Sequence, residues 1–420
     1  TAASLGMLVD EGKLTWDDRV VDHLPWFALK DPYVTREIRV RDLLTHRAGV
    51  PNTDALWYEQ STSTRDIISR LRLVELETST RTHFTYQNVM YATAGEVVAA
   101  VSGMPWSQFV RTRIFEPLGM TGTIPTAATL GSQPNVAQPH YTIDGVVEPI
   151  RNASVDGVAA AGAVWSSVHD MAEWLKMLLA GGRATGGPAA GKTLVGEKVL
   201  AELFSPQTMV GPDAFYPTMR LTKPHWTTYG LGWFQSDYGG EKVDFHTGSI
   251  DGMVAIAGLI RERNLGVYVL ANLDHAELRH ALMYRVFDAY LGRPARDWSA
   301  DLRTLYAELA KEGEAQQKKV DASRVQGTRP TLPLDRYAGT YRDPFLGDVV
   351  ITAVNGGLTA KYGNGFTGPL SHWHYDTFKA TWEARWRGTS LVSFQIDAEG
   401  SVASVTTDQG IFKRDSPKRP

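Results

Sequence analysis

The sequence predicts an α+β protein with a second, β-rich domain. Helix-period segments crowd the first 200 residues, while two strand-length apolar runs, Val254 to Ile260 and Val267 to Ala271, stand apart from them. A further set of short β runs follows beyond residue 331. Helices segregated from antiparallel strands imply helices packed around a mostly antiparallel sheet. At 420 residues the chain exceeds the usual size of a single core, so one large domain and one smaller one are expected.

Thr1 to Leu14 reads as a helix with Met7, Leu8 and the alanines inward and Gly12 as its stop. Arg41 to His46 is a short helix entering the Gly49-Val50-Pro51 turn. Asn88 to Ser102 carries Met90, Ala94, Val97, Val98 and Val101 at helical spacing and stops at Gly103, which puts Asn88 near the N-terminus. Another helix starts at Pro105, with Trp106, Phe109, Val110 and Ile114 inward and Pro117-Leu118-Gly119 as terminator. Residues 123–163, rich in Pro, Gly, Ala and Asn without periodicity, read as a long loop. Ser167 and Asp170 have the spacing of a capping box ahead of Met171, Trp174, Leu175 and Leu178. Arg261 to Asn264 joins the two apolar runs as a hairpin, and His275 to Leu291 reads as a helix packing back on that sheet.

Composition marks the boundary. Residues 1–292 form the large domain, residues 293–330 a charged helical linker with a Leu302, Leu305, Tyr306, Leu309 stripe, and residues 331–420 the β-rich domain. Its strands include Tyr337 to Tyr341, Val349 to Ile351, Leu391 to Phe394 and Val402 to Val405, with turns at Asn355-Gly356 and Glu399-Gly400.

A net charge of −3 gives no electrostatic footprint for nucleic acid or an anionic membrane surface. Zero cysteines exclude disulfides, thiol catalysis and thiolate metal sites, yet fit either side of a bacterial inner membrane. No apolar run approaches the roughly 18 residues that a membrane-spanning helix needs, and no signal-peptide pattern opens the chain.

Two short motifs carry chemistry: Tyr86-Gln87-Asn88 and His246-Thr247-Gly248. Around the first, Thr85 to Tyr91, Gly95, Val101-Ser102-Gly103, Ile114 to Met120 and Thr123 resemble the second-motif region of the class C β-lactamase and penicillin-binding-protein-like serine-hydrolase family. Leu43 to Pro51, Ser166 to Ala172 and Tyr229 to Trp233 resemble further landmarks of that family in the same order, so the resemblance covers nearly all of residues 1–292. It implies a β-lactamase/transpeptidase-like domain followed by a small lipocalin-like β domain, no cofactor, and a periplasmic or secreted location. The partner implied is a small-molecule or peptide substrate, with no nucleic acid and no membrane span.

The family's nucleophile motif, Ser-x-x-Lys, occurs at no serine from Ser4 to Ser416. Thr1-Ala2-Ala3 matches the tail of the Ser-x-x-Lys-x-x-Thr-Ala pattern, so the nucleophile and its lysine are expected to lie about six residues ahead of Thr1, by the motif's spacing, outside this chain. Strands that normally precede them would be missing too, and the sheet holding Val254 to Ala271 is then expected to show an unpaired edge.

In the resemblance, Tyr86 shares the general-base task with that lysine. A phenol of ordinary pKa, about 10, reaches neutrality only with roughly 4 kcal/mol of preferential phenolate stabilisation, which a cation beside it can supply. Asn88 holds the lysine and orients the substrate amide. His246 replaces the lysine of the Lys-Thr-Gly form, so carboxylate recognition is expected to be weak and pH-dependent, which favours D-amino-acid peptides or esters over β-lactams among small amides, peptides and esters. Thr247, Gly248 and the amide of Ser249 form the substrate and oxyanion side. Without serine and lysine this chain is expected to be inactive, and a noncatalytic protein that binds cell-wall peptides is the rival reading.

Three other patterns carry less. Gly186 to Thr193 matches a phosphate-loop pattern but follows a helix rather than a buried strand. His372 and His374 would share a strand face by alternation, yet no third ligand is evident, and no metal site is expected. Asn152-Ala153-Ser154 fits a glycosylation pattern that a bacterial-looking chain would not use. Trp373, Trp382 and Trp386 would permit oligomerisation through the C-terminal domain, or equally be half-buried strand residues.

Overall fold

The first helix, Ala2–Asp10, buries Ala3 through Leu8. It ends where a residue able to take left-handed backbone follows, at Gly12 with φ 67°. A computed structural model of the chain describes residues 1–415. Contacts divide it into two units: Thr1–Asp54, Ser63–Tyr141 and Val147–Tyr306 in the first, and Ala55–Thr62, Thr142–Val146 and Ala307–Pro420 in the second.

Helix Asn88–Ser102 starts and stops as its sequence dictates. Gln87 is its N-cap, accepting the Val89 N–H, and Gly103 closes it at φ 73°. The helix after Pro105 is less regular: Trp106–Val110 is α-helical, Arg111–Phe115 widens into a π turn, and Glu116–Leu118 ends at Gly119 with φ 74°. Side-chain periodicity reads the buried stripe but not this local change of hydrogen-bond ladder.

Two expectations for the following region need correction. Residues 123–163 are not one irregular loop, because His140–Ile143 (β1) and Val146–Pro149 (β2) form a hairpin. Asp144 and Gly145, at φ 50° and 81°, supply the two positive-φ positions that a two-residue hairpin turn requires. The capping box is half formed. Ser167 accepts the Asp170 N–H at 3.2 Å, but the Asp170 carboxylate is turned to the Gly122 N–H at 2.9 Å and the Thr123 hydroxyl at 2.8 Å. Asp170 thus ties the loop start to helix Val168–Leu179.

The sheet of the first unit consists of Thr208–Met209 (β3), Thr227–Tyr229 (β4), Phe234–Tyr238 (β5), Glu241–Ile250 (β6), Met253–Ile260 (β7) and Leu265–Ala271 (β8). All neighbours are antiparallel and the order follows the chain. β8 is an edge strand, so the free edge expected of the Val254 to Ala271 sheet lies there. Helix Leu278–Tyr290 packs on β7 and β8. Gly258 permits this approach, since a Cβ there would stand 2.5 Å from the Met283 sulfur and 3.0 Å from the Phe287 ring.

Helix Trp298–Ala322 carries the expected linker stripe. Trp298, Leu302 and Leu305 are buried in the first unit's core with Tyr238, Tyr284 and Phe287, and the division between units falls within the helix, after Tyr306. Among the described residues, no helix is long and apolar enough to cross a membrane.

The second unit contains a closed antiparallel barrel of Gly339–Asp343 (β9), Gly347–Val354 (β10), Gly357–Tyr362 (β11), Phe366–His374 (β12), Thr377–Thr381 (β13), Thr389–Ile396 (β14), Val402–Thr407 (β15) and Gly410–Arg414 (β16). Pairing of Lys413 with Arg342 and of Arg414 with Tyr341 joins the last strand to the first. Tyr341, Ile351, Phe378, Phe394 and Phe412 fill its core. A register shift between His372 and His374 breaks the alternation expected of them. His372 engages the Tyr375 carbonyl at 2.9 Å and His374 accepts the Val325 N–H at 3.2 Å, so each has a separate partner. Gly186 to Thr193 lies between helices Val168–Leu179 and Glu197–Leu203, without the strand that a phosphate loop follows.

One buried ion cluster holds the segment leading to the second motif. Asp42, fully buried, accepts from Arg81 at 2.6 Å, from Arg47 at 3.3 Å and from the Arg39 N–H at 3.0 Å. Arg47 also donates to the Gln207 carbonyl at 2.7 Å. Removing one member of such a set leaves buried charge uncompensated. The double substitution Arg47→Ala/Arg81→Ala strands the fully buried Asp42 carboxylate and is therefore expected to lower unfolding free energy by about 3–5 kcal/mol, measured by urea denaturation.

Candidate active site

Tyr86 and Asn88 flank Gln87, and Gln87 explains their placement. Its side chain caps helix Asn88–Ser102 and accepts the Thr53 hydroxyl at 2.9 Å, while its backbone N–H donates to His46 Nδ1 at 3.0 Å. His46 in turn holds the Thr85 N–H through its carbonyl at 2.8 Å. The His46 ring packs on Tyr86 with centroids 4.2 Å apart, and lies 5.2 Å from Tyr91 and 4.8 Å from Tyr229. The Leu43 to Pro51 segment, recognisable in the sequence as a landmark, thus works as the buttress of the second motif.

The third motif lies on β6, whose pairing places His246 opposite Ala257, Thr247 opposite Ile256 and Gly248 opposite Ala255. His246 Nε2 meets the Tyr229 hydroxyl at 3.2 Å. Its ring centroid is 6.3 Å from that of Tyr86 and 5.5 Å from Phe234. A cavity of about 210 Å³ brings Tyr86, Asn88 and His246 together, walled by Thr1 to Ala3, Tyr91, Trp174, Tyr229 and Trp233. A larger cavity of about 500 Å³, by Asp10, Glu11, Arg113 and Lys192, contains none of the motif residues.

Thr247, Gly248 and Ser249 are not in that lining. The buried Thr247 hydroxyl donates to the Ala255 carbonyl at 2.6 Å. A Cβ at Gly248 would meet no protein atom within 4 Å, so the glycine keeps open space beside the strand. The buried Arg279 guanidinium, on helix Leu278–Tyr290, donates to the Gly248 carbonyl and the Ser249 hydroxyl, both at 2.7 Å, and fixes this end of β6.

Electrostatics differ from what a general base requires. Burial, then the nearby Asp54 carboxylate, pushes the Tyr86 phenol up rather than down. Among the described residues, the cavity lining includes no lysine or arginine to reverse this. Asn88 donates to Asp54 Oδ1 at 3.1 Å. Burial lowers His246 from 6.5 to about 4. His46 is driven well below the usual histidine value by burial and then by His246. Both rings are neutral at pH 7.

The Beta-lactamase family profile matches residues 1–291. The chain belongs to the β-lactamase family. A domain of unknown function, DUF3471, matches residues 323–416 and so takes in the barrel of this β-lactamase-family chain. Among curated proteins, the Unguisins hydrolase ungD of Aspergillus violaceofuscus is 27% identical over 425 residues, covering 91% of this chain and 72% of that protein. Its counterpart ungD' of Aspergillus campestris is also 27% identical, over 82% of this chain and 65% of its own length. The chain therefore spans part of the length of these relatives. Among solved structures, an octameric penicillin-binding protein homologue from Pyrococcus abyssi shares the fold at TM-score 0.59 and 20% identity, over 98% of this chain and 85% of that one. A D-stereospecific amidohydrolase from Streptomyces sp. does so at TM-score 0.53 and 22% identity, over 65% of this chain and 79% of that one.

Of the site's residues, His46, Tyr91, Tyr229, Asp54 and Arg279 were not read from the sequence as functional. Each lies far along the chain from at least one motif that it serves, and only the fold brings them together.

The depressed histidines make a sign-specific prediction. Below pH 6.5 the unfolded chain takes up protons that folded His246 refuses until about pH 4, and that folded His46 also resists. Stability from these groups is thus full above pH 6.5 and falls as pH drops toward 4, by at most about 1.4 kcal/mol per pH unit for each ring. Urea midpoints measured across that window should show the decline, and His246→Gln should make it shallower.

Proposed function

We propose that this site is that of a serine hydrolase working through an acyl-enzyme on small amides, peptides or esters, with D-configured amides and peptides preferred over β-lactams. The observation that carries the reading is the convergence of Tyr86, Asn88 and His246 on one cavity. The ungD relative, itself a hydrolase, and the fold shared with a D-stereospecific amidohydrolase support it.

In this reading a serine hydroxyl attacks the substrate carbonyl and gives its proton to Tyr86. The leaving amine or alcohol departs with a proton, and water then hydrolyses the acyl ester. Tyr86 becomes a base only with a cation beside it, the part a Ser-x-x-Lys lysine plays, since burial and Asp54 otherwise keep it protonated. Asn88 orients the substrate amide, and the Ser249 amide is one oxyanion donor. Neutral His246 gives no charge to a substrate carboxylate, which is why carboxylate-bearing β-lactams rank lower. The octameric homologue supports self-association, but Trp373 and Trp382 are buried in the C-terminal domain and do not supply its surface.

Ser-x-x-Lys is absent from this sequence, so the chain as it stands is expected to form no acyl-enzyme. A fluorescent phosphonate serine-hydrolase probe tests this on the chain and on a version carrying Ser-x-x-Lys-x-x ahead of Thr1. Labelling of the extended protein alone is expected, with Tyr86→Phe slowing it by about 10²-fold or more. Labelling of neither would favour the peptide-binding alternative, and labelling of the short chain would place the nucleophile elsewhere.

A further inference from the structure

Residues 55–62 follow Asp54 directly in the chain, yet by contacts they belong to the second unit with the barrel. Glu59 is what holds this strap. It takes left-handed backbone, φ 57°, which a residue with a Cβ keeps only where its neighbours hold it. Its carbonyl accepts the Asn364 N–H at 2.7 Å, and the Asn364 side chain donates to the Ser61 hydroxyl at 2.5 Å. Its carboxylate accepts from the Arg387 guanidinium at 2.5 Å, with the two side chains only 6% and 3% exposed. Gly365 leaves the room for that carboxylate, since a Cβ there would stand 2.5 Å from it. Arg387 also lies over the rings of Tyr58 and Phe366, at 4.8 and 4.7 Å. Such a buried pair is costly to break from either side.

The start of the strap is equally constrained. The 3-10 turn Asp54–Leu56 runs across the point where the chain leaves the first unit, so the Asp54 backbone is one piece with the first residues of the strap. Asp54 Oδ1 accepts from Asn88 Nδ2 at 3.1 Å, and its Oδ2 accepts from Asn52 at 3.1 Å. We infer that Arg387 is a positioning residue of the second motif: through Glu59 it fixes the strap, and the strap fixes the Asp54 carboxylate that holds the Asn88 amide. A contiguous run of bonded and packed groups carries the coupling along the chain. The barrel domain thereby acts on Asn88 while contributing none of the described cavity-lining residues. The coupling stands on these contacts alone; its effect on turnover rests on the hydrolase reading.

Spectra of the full chain labelled with nitrogen-15 at asparagine read both ends of this path. Asn364 reports release of the strap and Asn88 reports transmission, each side-chain amide being assigned by its loss in the alanine variant. Asp54→Ala sets the scale, as the shift of the Asn88 amide when its carboxylate is gone. Arg387→Met is expected to move the Asn364 and Asn88 amides together, with Asn88 shifting in the direction that Asp54→Ala shifts it. Gly365→Ala displaces the Glu59 carboxylate without removing a charge and should do the same. Arg385→Ala breaks the neighbouring pair with Asp144, whose side chains are 54% and 85% exposed, and should leave Asn88 in place. An Asn364 amide that moves in Arg387→Met while Asn88 stays would mean a purely structural Arg387 and overturn the inference, as would an unmoved Asn88 in Asp54→Ala. If Arg387→Met fails to fold, Gly365→Ala decides by the same two amides. In the version carrying Ser-x-x-Lys-x-x, Arg387→Met should slow phosphonate labelling by about 10-fold. Unchanged labelling beside a shifted Asn88 would overturn only the effect on turnover, and no labelling of the parent would defeat the hydrolase reading while the amides still decide the coupling.

Discussion

The hydrogen bond from the Gln87 backbone to His46 Nδ1 is the contact on which the site depends. It joins the loop that follows the 3-10 turn Val40–Leu44 to the N-terminus of helix Asn88–Ser102, where the cap and the second motif coincide. An imidazole can accept this bond only while Nδ1 is unprotonated; burial keeps the ring neutral, and the Gln87 N–H selects Nδ1 as its bare nitrogen. Asp42, with its two arginines, secures the loop from the other side. Tyr86 and Asn88 are thus held by a neutral ring, the Gln87 cap and an adjoining charged cluster.

Low charge is the second organising feature. Aromatic rings and one neutral histidine, His246, line the cavity, neutral His46 packs against Tyr86, and the Asp54 carboxylate is hydrogen-bonded to Asn88. In such a medium an uncompensated charge is costly. The same low polarity prevents Tyr86 from ionising without a cation, linking its chemistry to the Ser-x-x-Lys motif absent from this sequence. Arg279 is close in space but spends its guanidinium on Gly248 and Ser249, making it a brace for β6.

Much of this was legible in the sequence where a local physical requirement leaves a mark. Gly12, Gly103 and Gly119 mark helix ends because left-handed backbone suits glycine, and the Val254 to Ala271 hairpin follows from apolar length and its polar turn. The Asp144-Gly145 turn carried the same kind of mark, but its short strands lie in a stretch without periodicity. Asp170 matched a cap by spacing, while its carboxylate was claimed by Gly122 and Thr123, partners distant in sequence. Barrel closure depends on pairing the first strand with the last, which no local pattern encodes. The second and third motifs were readable as residue types. The roles of His46, Tyr91 and Tyr229 were not, since a hydrogen-bond chain assembled from three separate segments exists only in the fold.

The central claim is that the cavity between Asn88 and His246 is where a small amide binds. A crystal structure of the chain with D-phenylalanine amide addresses it most directly. The account requires the ligand in the 210 Å³ cavity, with its amide at Asn88 and its other end beside His246. Ligand lodged instead in the 500 Å³ cavity beside Lys192, with the motif cavity empty, would contradict it.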